Sequence, residues 1–243
     1  MERRVEQAAA LVLRAVDFGE SDRVVTLLTR ELGLVSTMAR AARKSKRRFA
    51  GALEGFAIIA VEVTIGRGAL SRLETARVTR VFPRLLSNLA ALDAAGALLR
   101  LAREILPERA PEPDVFDCLV EALELLDGGA APRSLQLCCE ARMLSLTGFA
   151  PMLTSCVSCG REPKVFQSAF FSVARGGIVC SACGGGPERI AGSLRQALQE
   201  ALEGAPLDSL ASMPDAQVQE GERLLSQFIA QLLQHEHRLA KRL

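Results

Sequence analysis

Residues 11–38 read LVLRAVDFGESDRVVTLLTRELGLVSTM, and the period of that stretch decides the fold. Leu11-Val12-Leu13 and Val24-Val25-Thr26-Leu27-Leu28 are short runs rich in β-formers. Phe18-Gly19-Glu20-Ser21-Asp22 lies between them and has turn composition. Gly33 opens a third run, Leu34-Val35-Ser36-Thr37-Met38. Downstream, Phe56 to Ile65 forms a longer run that ends at the tight-turn signal Gly66-Arg67-Gly68. A fifth run, Leu70 to Val81, alternates in part, with Leu73, Thr75, Arg77 and Thr79 on one face. Five short strands in about 75 residues fit a small closed or partly open barrel, of which the oligonucleotide-binding (OB) fold is a five-stranded instance.

Pro83 marks a change of period. Leu89, Leu92, Leu99 and Ala102 recur at helical spacing. Pro111-Glu112-Pro113-Asp114 starts a second helix, with Val115, Phe116, Leu119, Val120 and Leu123 as its stripe, and Gly128-Gly129 stops it. A third runs from Pro132 or Arg133 to about Thr147. Residues 151–187 read as irregular. Two further helices follow, one containing Leu194, Ala197, Leu198 and Ala201, the last with Val218, Leu224, Leu225, Phe228, Ile229 and Leu232 inward. His235 and His237 near its end suit a helix C-terminus better than catalysis. The expected architecture is therefore α+β and multidomain. An N-terminal OB-fold β-barrel (1–82) precedes an α-helical domain (83–243) with an inserted four-cysteine zinc motif at about 151–187.

The insertion carries Cys156-Val-Ser-Cys159 and Cys180-Ser-Ala-Cys183. Each C-x2-C pair presents two sulfurs on a tight turn, and the connecting loop can bring both turns to one tetrahedral ion. Thiolates are soft ligands that suit Zn2+. Four sulfurs close the shell, so Cys156, Cys159, Cys180 and Cys183 point to a structural site, not a catalytic one. Cys118 and Cys138 fall in helical stretches and read as small buried hydrophobes.

The formal charge of +2 is unevenly spread. Residues 1–80 hold 15 Lys/Arg against 9 Asp/Glu, and the rest 15 against 19. The excess concentrates in Arg40-Ala-Ala-Arg43-Lys44-Ser-Lys46-Arg47-Arg48, six basic residues in nine with no acid, between the third and fourth strands. A flexible loop of Arg40, Arg43, Lys44, Lys46, Arg47 and Arg48 at the barrel's edge can track phosphates and release counterions. Arg14, Arg23 and Arg30 can extend that surface. The chain has no Trp or Tyr, so base stacking falls to Phe or Arg. No phosphate-loop or dinucleotide glycine motif appears, and no Ser/His/Asp signature, so an enzyme is not expected. Met1–Glu6 lacks a signal-peptide pattern, and no apolar stretch approaches the roughly 20 residues of a membrane span. A cytoplasmic protein with reduced thiols is the expectation.

The stretch from Leu11 to Gly33, continued by Arg40 to Leu53, resembles the bacterial RecO family of DNA-repair proteins. The order of domains and the four cysteines fit the same family along the whole chain. The sequence departs from the family pattern at Ala41-Ala42, where a glycine usually follows the basic residue. Some relatives lack the four cysteines that this chain keeps. The resemblance implies a recombination mediator of the RecF pathway, associated with the nucleoid. Such proteins bind single- and double-stranded DNA, anneal complementary strands and, with RecR, assist RecA loading. They also imply contact with the C-terminal tail of the single-stranded DNA-binding protein, for which a groove near Arg133 and Arg142 is the expected place. The alternative from residues alone is a zinc-ribbon interaction protein that binds RNA or a ribosomal surface.

Overall fold

The turn at 18–22 joins two strands of a closed barrel. A computed structural model describes residues 4–45, 47–66, 68–210 and 212–240, with residues 236–240 described by backbone alone. The strands are β1 (Arg4–Phe18), β2 (Asp22–Thr29), β3 (Gly33–Ala39), β4 (Ala57–Ile65) and β5 (Ser71–Val81). They hydrogen-bond in the order β1-β2-β3-β5-β4, and β4 returns to β1. The β3–β5 pairing is parallel and the others are antiparallel.

β1 is longer than its β-rich core, Leu11-Val12-Leu13, announces. Arg4–Ala10 has a composition that favours helix, yet it pairs with β4 from Arg4↔Ile65 to Leu11↔Ile58. Its partner is rich in β-branched residues, and Ala8 and Ala10 are buried in the barrel core. Tertiary pairing overrides the local preference. β1 pairs with β2 from Ala10↔Thr29 to Phe18↔Asp22, with a bulge between Val12 and Arg14.

The barrel is filled by Val12, Val25, Leu27, Val35, Ile59, Val61, Val63 and Leu73. Phe49, Ala52 and Leu53 join them from the β3–β4 connection. Burying those three side chains stabilises the fold by roughly 1–3 kcal/mol for each large one, so the basic segment is anchored at its far end and is not a free loop. Gly33 serves a close approach. Its φ is 71°, and a Cβ there would lie 1.9 Å from the Ala110 carbonyl oxygen. Any side chain would push the chain at 108–110 off the barrel, where the Arg109 amide donates to the Leu34 carbonyl at 2.8 Å.

Three helices belong with the barrel: α1 (Pro83–Leu86), α2 (Leu89–Ile105) and α3 (Pro113–Gly128). The chain forms two compact units, Met1–Gly129 and Ala130–Leu243. Packing thus divides the chain later than the 82/83 boundary expected from the change of period. Polar contacts account for the difference. Asp117 takes a two-pronged hydrogen bond from Arg30 at 2.9 Å. Glu124 pairs with Arg80, and Asp127 accepts the first amides of α1 at Arg84 and Leu85. The buried face of α2 is alanine-rich (Ala91, Ala94, Ala95, Leu98, Ala102), and Leu89, expected in its stripe, is exposed.

The second unit contains α4 (Pro132–Leu146), β6 (Ala169–Ser172), β7 (Gly177–Val179), β8 (Glu188–Ile190), α5 (Gly192–Glu203), α6 (Leu207–Leu210) and α7 (Asp215–Ala240). The segment 151–187, read as irregular, holds most of a three-stranded sheet in the order β7-β6-β8. Strands of three and four residues are too short to show a period of two. Phe171 of that sheet meets Phe228 of α7 edge to face, 6.4 Å between ring centres. Among the described residues, no helix is long and apolar enough to cross a membrane.

Candidate nucleic-acid interface and metal centre

The basic segment leaves β3 and immediately docks on the β1–β2 turn. The Asp22 carboxylate accepts the Ala41 amide at 2.7 Å, and the Ser21 carbonyl accepts the Arg43 amide at 3.0 Å. Residues 42–44 then form one tight 3-10 turn. At the far side, the Arg48 amide donates to Ser45 Oγ, its guanidinium to the Arg40 carbonyl at 2.6 Å, and its carbonyl accepts the Ala76 amide of β5. Arg48 also lies over the Phe49 ring at 5.1 Å. The acids of the β1–β2 turn, which composition explains as turn polarity, are therefore the groups that hold the loop.

These contacts sort the basic residues. Arg43 faces Asp17 at 3.5 Å and the Glu20 carbonyl at 3.4 Å. Arg48 is committed to the loop itself. Arg40, Lys44 and Arg47 are exposed and carry no acidic partner among the described residues. Lys46 lies outside the described residues. Of the arginines expected to extend the surface, Arg23 is held by Asp17 and Glu54, both at 2.8 Å, and Arg30 by Asp117. Their carboxylate hydrogen bonds raise the pKa of both above the ordinary arginine value. Arg14 has no acidic partner among the described residues. Cross-strand rows Val16–Val24–Met38 and Arg14–Thr26–Ser36 run over the outer face of β1-β2-β3, and Phe18 stands exposed at its end.

Ala41 takes φ 54° and ψ 30°, the left-handed region. That region favours glycine, and the conformation costs a residue with a Cβ about 1–2 kcal/mol. Ala41→Gly is expected to raise the denaturation midpoint by about 0.5–1 kcal/mol after the larger unfolded-state entropy of glycine is deducted. A lower midpoint would assign the Ala41 methyl a packing role that outweighs its strain.

In the second unit, the sulfurs of Cys156, Cys159, Cys180 and Cys183 all lie within 4.8 Å of one another, as free thiols. Tetrahedral thiolate coordination at about 2.3 Å per bond implies sulfur separations of about 3.8 Å, and Cys159 and Cys180 stand 3.7 Å apart. The four residues fit a metal ion. Each pair sits on a tight turn, closed by Gly160 N–H to the Cys156 carbonyl and Gly185 N–H to the Cys180 carbonyl. The first turn is bonded to β7 through Val157 N–H to the Ile178 carbonyl at 2.9 Å. Arg175 bridges both turns, reaching Ser158 Oγ and the Cys183 carbonyl.

Amide donors at Cys180, Ser158 and Cys159 pull the Cys156 thiol down to about 6. Cys183, whose neighbours Cys159 and Cys180 accept its proton, is pushed up to about 12. A cation held by the four sulfurs would displace the protons they carry. Burial pushes Cys138 up to about 12, as an inert core thiol.

Arg195 is the residue that helical spacing misses. It is 3% exposed, inside α5. Its guanidinium donates to the carbonyls of Leu153 at 3.0 Å, Lys164 at 3.1 Å and Gln167 at 3.3 Å, and burial lowers its pKa. It therefore clasps both flanks of the first cysteine pair to the helix. Arg195→Leu strands those carbonyls and is expected to cost about 3 kcal/mol, read as a lower urea midpoint with faster amide exchange over 151–170. A midpoint within 0.5 kcal/mol of wild type, about the scatter of a neutral surface change, would show that water replaces it. Arg133 and Arg142, expected to edge a tail groove, are already engaged. Arg133 pairs with Glu222, and Arg142 donates to the Ala201 and Ala205 carbonyls.

Comparison with known proteins finds one family model on each side of residues 83–85, not at the 129/130 division of the compact units. Residues 1–82 match the family described as Recombination protein O N terminal, and residues 86–241 match Recombination protein O C terminal. DNA repair protein RecO of Anaeromyxobacter sp. (strain K) is 38% identical over 240 residues, covering 96% of this chain and 91% of the relative. The proteins of that name from Geobacter sulfurreducens and Myxococcus xanthus are each 41% identical over 175 residues, covering 72% of this chain and 71% of theirs. With both family halves matched in order along nearly all of its length, the chain belongs to the RecO family.

Proposed function

We propose that this protein is a DNA-binding recombination mediator of the RecF pathway, with no chemistry of its own. It binds single- and double-stranded DNA through residues 1–82 and anneals complementary strands. With RecR it assists RecA loading where single-stranded DNA-binding protein must leave. The helical domain, 83–243, holds the partner surfaces, and its insertion at 151–187 carries a structural Zn2+ on Cys156, Cys159, Cys180 and Cys183. Such a protein acts in the cytoplasm, at the nucleoid.

One observation carries the reading. An anchored loop presents Arg40, Lys44 and Arg47 without acidic partners among the described residues, beside an outer sheet face that is apolar and carries Arg14. The closed order β1-β2-β3-β5-β4 supports naming the barrel an OB fold, whose ligands lie on the face of strands 2 and 3. Unpaired cations beside an apolar surface suit a flexible polyanion with exposed bases. The relatives' shared name, DNA repair protein, points the same way. In this reading Arg43 and Arg48 shape the loop as well as adding charge. A gel-shift titration on single-stranded DNA across rising salt is the test. Weak binding with no salt slope would overturn it.

A further inference from the structure

A cleft of about 340 Å³ opens where β1 passes α2 and the chain enters β4. Three local irregularities converge on it. The β1 bulge places Leu13 and Arg14 there, and bulges re-aim side chains. Phe56 adopts φ 51°, a costly conformation for a bulky residue. Gly96 interrupts the interior of α2, where glycine costs about 1 kcal/mol relative to alanine. With no side chain on that turn, two groups come over the helix. A Cβ at Gly96 would meet Arg100 Nη1 at 3.7 Å and Phe56 Cζ at 4.0 Å. Backbone strain of this kind gathers at binding sites.

The charge of the cleft is equally particular. Arg23 on its wall is neutralised by Glu54 and Asp17. Arg14 and Arg100 are exposed and have no acidic partner among the described residues. Two unspent guanidinium groups thus share a small cleft with one aromatic ring. Guanidinium matches phosphate, and a ring matches the face of a base. The volume is at the low end for small-molecule sites, about 300–1,000 Å³, which suits one nucleotide.

We propose that this cleft receives a single unpaired nucleotide of the bound strand, its phosphate between Arg14 and Arg100 and its base against Phe56. The proposal rests on the DNA-binding reading above. A paired base is held in its stack and cannot enter. The cleft therefore favours single strands over duplex, whereas the basic loop serves both.

The test uses the full chain, an oligothymidylate, a duplex of the same length, and an oligonucleotide of abasic sugars. Arg100→Ala and Phe56→Leu are each expected to lower single-strand affinity about tenfold and leave duplex affinity within about twofold. Gly96→Leu, which fills the cleft from the helix side, gives the same pattern. The abasic strand binds wild type about tenfold more weakly than oligothymidylate, and Phe56→Leu weakens it no further. A merely structural role for Phe56 would weaken both strands alike and overturn the proposal. Unchanged single-strand affinity in Arg100→Ala and Gly96→Leu would overturn it too, and would leave the basic-loop effect standing. Binding of free dTMP that saturates the cleft without displacing the oligonucleotide would assign the cleft to a free nucleotide, which also overturns it. Absence of any DNA binding by wild type would instead overturn the underlying reading.

Discussion

Alanine at Arg40, Lys44 and Arg47 together lowers the affinity for single-stranded DNA about 50-fold near 0.15 M salt and reduces the salt slope by about 2. Each phosphate neutralised on a single strand contributes about 0.7 to that slope, and these three head groups have no acidic partner among the described residues to give up first. Arg43→Ala behaves differently. Its guanidinium already faces Asp17 and the Glu20 carbonyl, so the slope changes by less than one contact's worth while the loop loosens from the β1–β2 turn. Arg48→Ala releases the Arg40 carbonyl and uncovers Phe49, and it is expected to affect stability more than slope. Fluorescence anisotropy of a labelled oligonucleotide at several salt concentrations separates the three variants. Equal slopes in all of them would identify the segment as a solvated face.

Metal removal is expected to act on the other unit. If the four sulfurs hold zinc as proposed, the purified protein is expected to carry one zinc per chain, and a strong chelator is expected to destabilise the segment from Pro151 to Ile190. With free metal a thousandfold above its Kd, the stabilisation lost is about 4 kcal/mol. Cys156→Ser and Cys180→Ser each reproduce the loss, and amide exchange accelerates across β6, β7 and β8. The first unit keeps its protection, because its core comes from its own strands and the Phe49 segment. Loading releases protons, since the Cys183 thiol is held protonated, up to about 12, until a cation takes its place. The apparent affinity therefore weakens as pH falls. Substoichiometric metal under reducing conditions, with unchanged exchange after chelation, would reject the centre.

Much of the candidate site is legible in the residues. The two C-x2-C pairs identify their own cluster because the turn that places two sulfurs is local, and only the meeting of the pairs is long-range. The basic run is equally plain as a run. Its internal division is not, because Arg43 and Arg48 differ from Arg40, Lys44 and Arg47 only in what folds against them. The partners are Asp17, the Glu20 carbonyl and the Arg40 carbonyl. Arg195 is hidden for the same reason. One charged residue on a helix reads as solvent-facing until three carbonyls from another segment close over it.

Residues 11–38, by themselves, determined that the chain begins with β-structure. The β-rich runs and the turn at 18–22 each act within a few residues and need no distant partner, whereas the need for glycine at 33 comes from the distant Ala110 carbonyl. The tertiary structure alone decided that β1 starts as early as Arg4, since that segment takes its conformation from the β4 edge it pairs with. It alone showed why the position after Arg40 favours glycine, because φ at Ala41 is set by where the loop must land on Asp22. And it alone placed α3 beside the barrel, through ion pairs between residues far apart in the chain, and grouped α2 in the same compact unit. Local periodicity names the elements, and long-range contacts choose which charges remain free to meet a ligand.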